Sequence, residues 1–259
     1  LRHRTSIDFG NDELAAIGKR LQAAAYELID AEDQRQELVN AIALDIRTPI
    51  VEASSTLERL AQDLDPAHPA AAVIVKNLRS TRGNFEKVLV LVNDLLTLDQ
   101  LDAGHIELNL RSENIKAVVN EAMHSIGSLA GAKDIALVAD CDDCILPLDR
   151  NRIIQVLTNL INNAVKFSPR NSTIKVQALE DGARVIVAVV DQGPGMTPDV
   201  AARVFDKFYR DENQKGAAFG LGLAIARLIV RSHGGEIGLD TAAGQGSTFY
   251  FTLPKKRSV

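Results

Sequence analysis

The chain has no tryptophan, and aromatic residues make up only 4% of its 259 positions. So few flat rings leave little for unpaired bases to stack on, which argues against single-stranded nucleic acid as a partner. A formal net charge of −5 gives no footprint for a polyanion either. Long hydrophobic runs are also missing. Nothing approaches the roughly 18 apolar residues of a membrane span, and no signal peptide is visible. Only Cys141 and Cys144 could form a thiol pair. Their CxxC spacing suggests zinc or redox chemistry, but no second pair or nearby histidine completes a site, so they read as strand-end residues of a reducing compartment. No internal repeat or low-complexity segment is found. Apolar material is plentiful, at 46%, ample for the core of one large or two ordinary domains. The chain opens on Leu1 rather than Met, as a piece of something longer would.

The front half reads as helical. Asn11–Leu14 supplies a cap residue and early acids for a helix start. From Leu14 the residues Ile17, Leu21, Ala24, Leu28, Ala31, Arg35, Leu38 and Ile42 follow at alternating steps of three and four. That is a heptad seam interrupted by Arg35, fitting a parallel dimeric coil better than one amphipathic helix on a larger body. The helix is expected to continue through Leu44–Ile50, with Pro49 bending it locally. After the breaker Asp65–Pro69 a second helix is predicted to about Leu101, with Leu89, Val92, Leu95, Leu96 and Leu98 as apolar spokes and Gly104 as its stop. Two such hairpins make a four-helix bundle.

From Leu108 short β-like runs alternate with helices. Ile135–Asp140, Thr173–Leu179, Arg184–Asp191, Ser247–Pro254 and, more weakly, Glu236–Thr241 read as strands. Helices fit Ile115–Ala130, Arg150–Phe167 and Leu221–His233, so the mixture predicts a two-layer α/β sandwich. Within Arg152–Phe167, Ile153, Leu157, Leu160, Ile161 and Ala164 share an inward face. Gln155, Asn159, Asn162, Asn163 and Lys166 share the other. Asparagine is a mediocre helix former, so three in one helix need a reason. A solvated face is one reading, though Glu and Lys would serve it better. Amide oxygens presented at i and i+4 to a cation, with Lys166 one turn on for a phosphate, is the other.

Downstream come Asp191–Met196 (DQGPGM), Phe219–Ile225 (FGLGLAI) and Gly244–Phe249 (GQGSTF). This helix followed by three glycine boxes in this order resembles the ATP-binding catalytic domain of sensor histidine kinases, in the superfamily with gyrase, Hsp90 and MutL. The resemblance covers nearly the whole chain. It implies an α+β protein, a dimeric helical-hairpin four-helix bundle followed by a Bergerat-type (GHKL) sandwich. The expected divisions are 1–30, the end of a HAMP linker and its coiled coil; 31–107, the dimerisation and phosphotransfer-like bundle; and 108–259, the catalytic domain. A HAMP end implies a parent anchored in the inner membrane of a bacterium, of which this is the cytoplasmic portion.

The resemblance also implies ATP and Mg²⁺ as cofactors, with Asn159 and Asn163 as metal ligands and Lys166 on a phosphate. Asp191 would hold the adenine amino group: a carboxylate accepts from that donor and rejects guanine's carbonyl. Its bland reading is an acid at a strand–turn junction. Phe167, Gly193, Gly195, Met196, Gly220, Leu221, Gly222, Leu223 and Thr248 complete the expected nucleotide contacts. Val204–Arg210 (VFDKFYR) is similar to the family's F-box, placing Phe205 and Phe208 near the nucleotide and Arg210 toward phosphates, although phenylalanines at i,i+3 are more often core. Residues 211–218 would form a lid, and Phe219 stands where the family has Thr or Ser.

Leu44–Ile50 (LDIRTPI) is similar to the family's H-box, HELRTPL, with Asp45, Arg47, Thr48 and Pro49 matching. Leu44 stands at the phosphoacceptor position, and leucine has no nucleophilic atom. No other histidine replaces it by spacing. Leu44 is therefore either a substitution made to trap one state of an ordinary kinase or the residue of a kinase without an acceptor. The expected function is a Mg-ATP-binding transmitter signalling by conformation to a response regulator receiver domain or a partner kinase. Asp45 would be the base for an acceptor histidine. The alternatives are a response-regulator phosphatase in which Thr48 orients water, and a gyrase- or Hsp90-type ATPase, against which the bundle and H-box argue.

Overall fold

In a computed structural model, residues 13–64, 71–102, 108–209 and 220–256 are described. The chain divides into two compact units, Leu1–Ala103 and Gly104–Val259.

The first unit is a helical hairpin. Helix α1 (Glu13–Asp63) runs through Pro49 without interruption, and α2 (Ala71–Asp102) packs along it. Proline removes one backbone donor, and here that loss does not end the helix. Arg82 of α2 bridges Glu58 of α1 at 3.0 Å and Glu86 of its own helix at 3.0 Å. Hairpin residues Val51, Leu60, Val73, Val90 and Leu95 are exposed, as is Leu21 of the heptad seam. One hairpin has too few partners to bury them. The predicted cap at Asn11, the hairpin breaker and the stop at Gly104 lie outside the described residues.

The second unit is a two-layer sandwich. Its strands are β1 (Arg111–Asn114), β2 (Ala136–Cys141), β3 (Ile145–Leu148), β4 (Thr173–Asp181), β5 (Arg184–Asp191), β6 (Ile237–Thr241) and β7 (Ser247–Pro254). Strands β1 and β3 pair antiparallel, and the main sheet has the order β2-β4-β5-β7-β6, with only β2–β4 parallel. Alternation decides which face is covered. Val185, Val187 and Val189 of β5, and Phe249, Phe251 and Leu253 of β7, are buried while their neighbours are not. Helices α3 (Ile115–Gly131), α4 (Arg150–Phe167) and α6 (Gly222–Ser232) form the other layer, and α5 (Pro198–Arg203) is a short turn of helix.

Helix α4 anchors this layer. Ile153, Val156, Leu157, Leu160 and Ile161 are completely buried, and Asp149 caps its start by accepting the Arg152 N–H at 3.2 Å. Asn114 caps α3 in the same way. Leu157→Ala is expected to lower the stability of the sandwich by about 2–5 kcal/mol, because the void cannot fully collapse; a thermal or urea melt of the chain measures it.

The strands expected at Arg184–Asp191 and Ser247–Pro254, and α4, have their predicted limits, and the other expected elements shift by one or two residues. Strands β1 and β3 and helix α5 are absent from the sequence reading. β1 (RSEN) is polar, β3 carries Pro147, and α5 has six residues with proline in its first turn. None offers a period long enough to read. Cys141 ends β2 and Cys144 precedes β3, both as free thiols. Burial pushes both thiols up, Cys144 to about 11, so they stay protonated. Among the described residues no group of three His, Cys, Asp or Glu side chains is placed to hold a metal.

Candidate nucleotide site

Asp191 ends β5 and is buried. Burial raises its pKa, opposed by hydrogen bonds that the backbone N–H groups of Gly193 and Ser247 donate to its carboxylate. The Gly193 contact is 2.7 Å. Across the sheet Asp191 faces Ser247, and Ser247 faces Thr241. Opposed residues share a face, so Asp191, Ser247 and Thr241 form one row. Thr248, the residue expected from the sequence, is the next along β7, and alternation turns it to the other face.

The loop after Asp191 is tied to the β6–β7 turn. Met196 N–H donates to Thr241 Oγ1 at 3.1 Å, the Thr241 hydroxyl reaches the Gly246 carbonyl at 2.9 Å, and Gly244 N–H donates to the Pro194 carbonyl at 2.6 Å. Gly195 sits at φ +65, and a Cβ there would stand 1.9 Å from the Ala242 carbonyl oxygen. Gly195→Ala is therefore expected to displace the loop, at about 1–3 kcal/mol in strain alone, and to weaken nucleotide binding; melting temperature and titration calorimetry read the two effects.

The polar side of α4 splits. Asn159 and Asn163 are half-buried on one flank, whereas Asn162 is exposed. Asn159 Nδ2 donates to the Gly222 carbonyl at 2.9 Å, which leaves Oδ1 as the acceptor of that amide. Gly222 opens α6, and Leu221 ahead of it is buried and makes no side-chain cap to the helix. The first N–H groups of α6 thus lack a side-chain partner at the cap, an arrangement suited to an anion. Leu223 follows, half-buried.

At the other end of α4, Lys166 places its ammonium over the Phe167 ring, 4.6 Å from the centroid. Phe167 is half-buried, and its carbonyl lies against Gly193. Lys133 donates to the carbonyls of Val165 and Lys166, both at 2.8 Å, capping the negative end of the helix. Ser168 Oγ, just past this end, is buried with no hydrogen-bond partner among the described residues. Phe205 packs edge-on against Phe249, with centroids 6.2 Å apart. Phe208 is 62% exposed at φ +61, and its N–H bonds the Gly220 carbonyl at 3.1 Å. Arg210, the lid and Phe219 lie outside the described residues.

The structure therefore brings together Asp191 with Gly193, Gly195 and Met196, and Asn159 with Gly222. Lys133, Thr241 and Ser247 were not expected from sequence. The only signal for Lys133 was a lone lysine in a loop, whose partner is 32 residues away. On the first unit Asp45, Arg47, Thr48 and Pro49 are exposed along α1, which passes through Leu44 as helix.

This geometry matches known proteins. Residues 148–257 match the family described as histidine kinase-, DNA gyrase B- and HSP90-like ATPase. The sensor histidine kinase WalK of Bacillus subtilis (strain 168) is 31% identical over 91% of this chain, and the chain spans 40% of that relative. Among solved structures, full-length ShkA in complex with AMPPNP is similar over 86% of this chain and 46% of its own, at a TM-score of 0.72 and 29% identity. The histidine kinase AdeS of Acinetobacter baumannii is similar over 82% of this chain and 98% of its own, at a TM-score of 0.60 and 26% identity. The second unit thus has the GHKL-type ATP-binding fold. It is similar to the ATP-binding domains of sensor histidine kinases.

Proposed function

We propose that the chain is the cytoplasmic transmitter module of a dimeric two-component sensor histidine kinase, binds Mg-ATP, and lacks a phosphoacceptor at Leu44. The observation that carries the nucleotide reading is the contact between Asn159 and Gly222 at 2.9 Å. It sets an amide oxygen beside a helix N-terminus whose cap residue, Leu221, offers no side-chain hydrogen bond, so a cation ligand and a phosphate cradle lie side by side. ShkA, similar in fold, was solved with AMPPNP, which supports the same ligand class.

Mg²⁺ fits these residues. Two neutral amide oxygens from Asn159 and Asn163, one helical turn apart, are hard donors of the kind magnesium takes while phosphate oxygens and water fill its other positions. Bound there, the metal supplies charge neutralisation between phosphates. Lys166 would move from the Phe167 ring to a phosphate oxygen, and Arg210 would add a second charge. Phe167, Met196, Phe208, Gly220, Leu221 and Leu223 would line the nucleotide. Asp191 would accept from the adenine amino group.

The exposed apolar residues of the hairpin support a second copy as the partner that completes a four-helix bundle, and a receiver domain would dock beside Asp45 and Thr48. The N-terminal HAMP end and its membrane anchor belong to this reading of the longer parent. Removing magnesium with a chelator is expected to weaken ATP binding at least about tenfold, as the loss of a charge-bridging ion should. In an Asn159→Leu, Asn163→Leu double variant the magnesium dependence should vanish; its persistence would sink the metal assignment.

A second reading, response-regulator phosphatase, is favoured by the exposure of Thr48 one turn beyond Leu44 on α1. Its hydroxyl can orient water without the missing histidine. Phosphatase activity lost in Thr48→Ala would support it, and a chain that leaves a phosphorylated receiver untouched would exclude it.

A further inference from the structure

Both ring nitrogens of His233 are engaged inside the fold. The residue follows α6 as its C-terminal cap and is buried. Its Nδ1 lies 2.8 Å from the Ile229 carbonyl oxygen, and its Nε2 accepts the backbone N–H of Asp149 at 3.0 Å. A carbonyl only accepts and an N–H only donates. One species satisfies both contacts, the neutral imidazole with its proton on Nδ1.

Asp149 is itself a junction. Its carboxylate accepts the Arg152 N–H of α4 and, at 3.0 Å, the N–H of Asn109 from the segment ahead of β1. His233 therefore ties the end of α6 to the start of α4 and, through Asp149, to the segment that leads into β1. Ten residues along α4, Asn159 holds Gly222 at the opposite end of α6. The helices are antiparallel and packed together, with two polar rungs roughly 15 Å apart at 1.5 Å per residue. One rung alone lets α6 pivot about it. Two fix both register and angle.

We propose that His233 is a positioning residue of the nucleotide site: the neutral ring locks α6 against α4, and protonation releases the rung and loosens the Asn159–Gly222 pair. This rests on the reading of α4 and α6 as the nucleotide helices. A proton on Nε2 would face the Asp149 N–H, donor against donor. Among the described residues, burial disfavours the charged ring, while the Ile229 carbonyl and the Asp149 carboxylate favour it, and burial prevails. A ring harder to protonate when folded leaves stability full above the ordinary histidine value of 6.5. That stability is lost as pH falls below this value toward the depressed folded one.

The test is calorimetric titration of the full chain, His233→Gln and His233→Leu with Mg-ADP, at about pH 8 and about pH 5.5, either side of the histidine range. Glutamine can donate to Ile229 and accept from Asp149 without taking up a proton. The unaltered chain should lose affinity on acidification, by up to about tenfold as the ring becomes protonated, one hydrogen bond's worth. His233→Gln should bind normally at the higher pH with a flattened pH response, and His233→Leu should be weaker already there. Asp191 titrates alike in all three and cancels in the comparison. Equal pH responses in the glutamine variant and the unaltered chain would overturn the proposal, as would leucine binding at full strength. No Mg-ADP binding in any of the three would overturn the reading of the site itself, a separable failure.

Discussion

Asp191→Asn should weaken ATP binding by about ten- to a hundredfold, the range for losing a hydrogen bond to a charged partner, roughly 1.5–3 kcal/mol. The carboxylate is buried at the end of β5, and the Gly193 N–H, one of the two backbone donors to it, can be kept by the asparagine oxygen. The fold should therefore survive. What changes is the group left for the base: an acceptor becomes, on one side, a donor facing the adenine amino group. The same exchange should narrow discrimination against GTP. Acidification should act in the same direction, because burial raises the pKa of Asp191 and so makes its carboxylate easier to protonate than an ordinary aspartate. A variant binding ATP at full strength would mean that the base sits elsewhere.

Leu44→His is expected to have the other large effect, from no label to acid-labile label after incubation with ATP carrying a labelled γ-phosphate. Leucine offers no atom that can attack phosphorus. Residue 44 lies in an unbroken stretch of α1 with Asp45, Arg47 and Thr48 exposed after it. Histidine at that place would regain the acceptor, with Asp45 beside it to polarise the ring. Label on the variant alone would mean that only the acceptor is missing. Label on neither would place a further defect in the nucleotide site or in docking, and label on the unaltered chain would mean a different acceptor.

The sandwich was legible where period and length were strong. Helix α4 announced itself by five apolar residues at helical spacing, and β5 and β7 by strand-like runs whose alternate residues the covered sheet face buries. The glycine boxes marked tight loops, because only a residue without a Cβ fits where Gly195 meets the Ala242 carbonyl. Partners distant in sequence were not legible. Thr241, Lys133 and His233 look like ordinary polar residues until the fold places Met196, the end of α4 and Asp149 against them. Thr248 illustrates the opposite limit: motif position predicted a site residue, while strand alternation turns Ser247 toward Asp191 instead. Asn159, Asn162 and Asn163 of α4 looked equivalent, yet helix geometry exposes Asn162 and half-buries the other two.

The most direct test of the nucleotide reading is titration of the unaltered chain with Mg-ATP and then Mg-GTP. One ATP should bind per chain, and GTP more weakly by at least about tenfold, since guanine sets a carbonyl against the Asp191 carboxylate. No heat with ATP, or equal affinity for the two nucleotides, would contradict it.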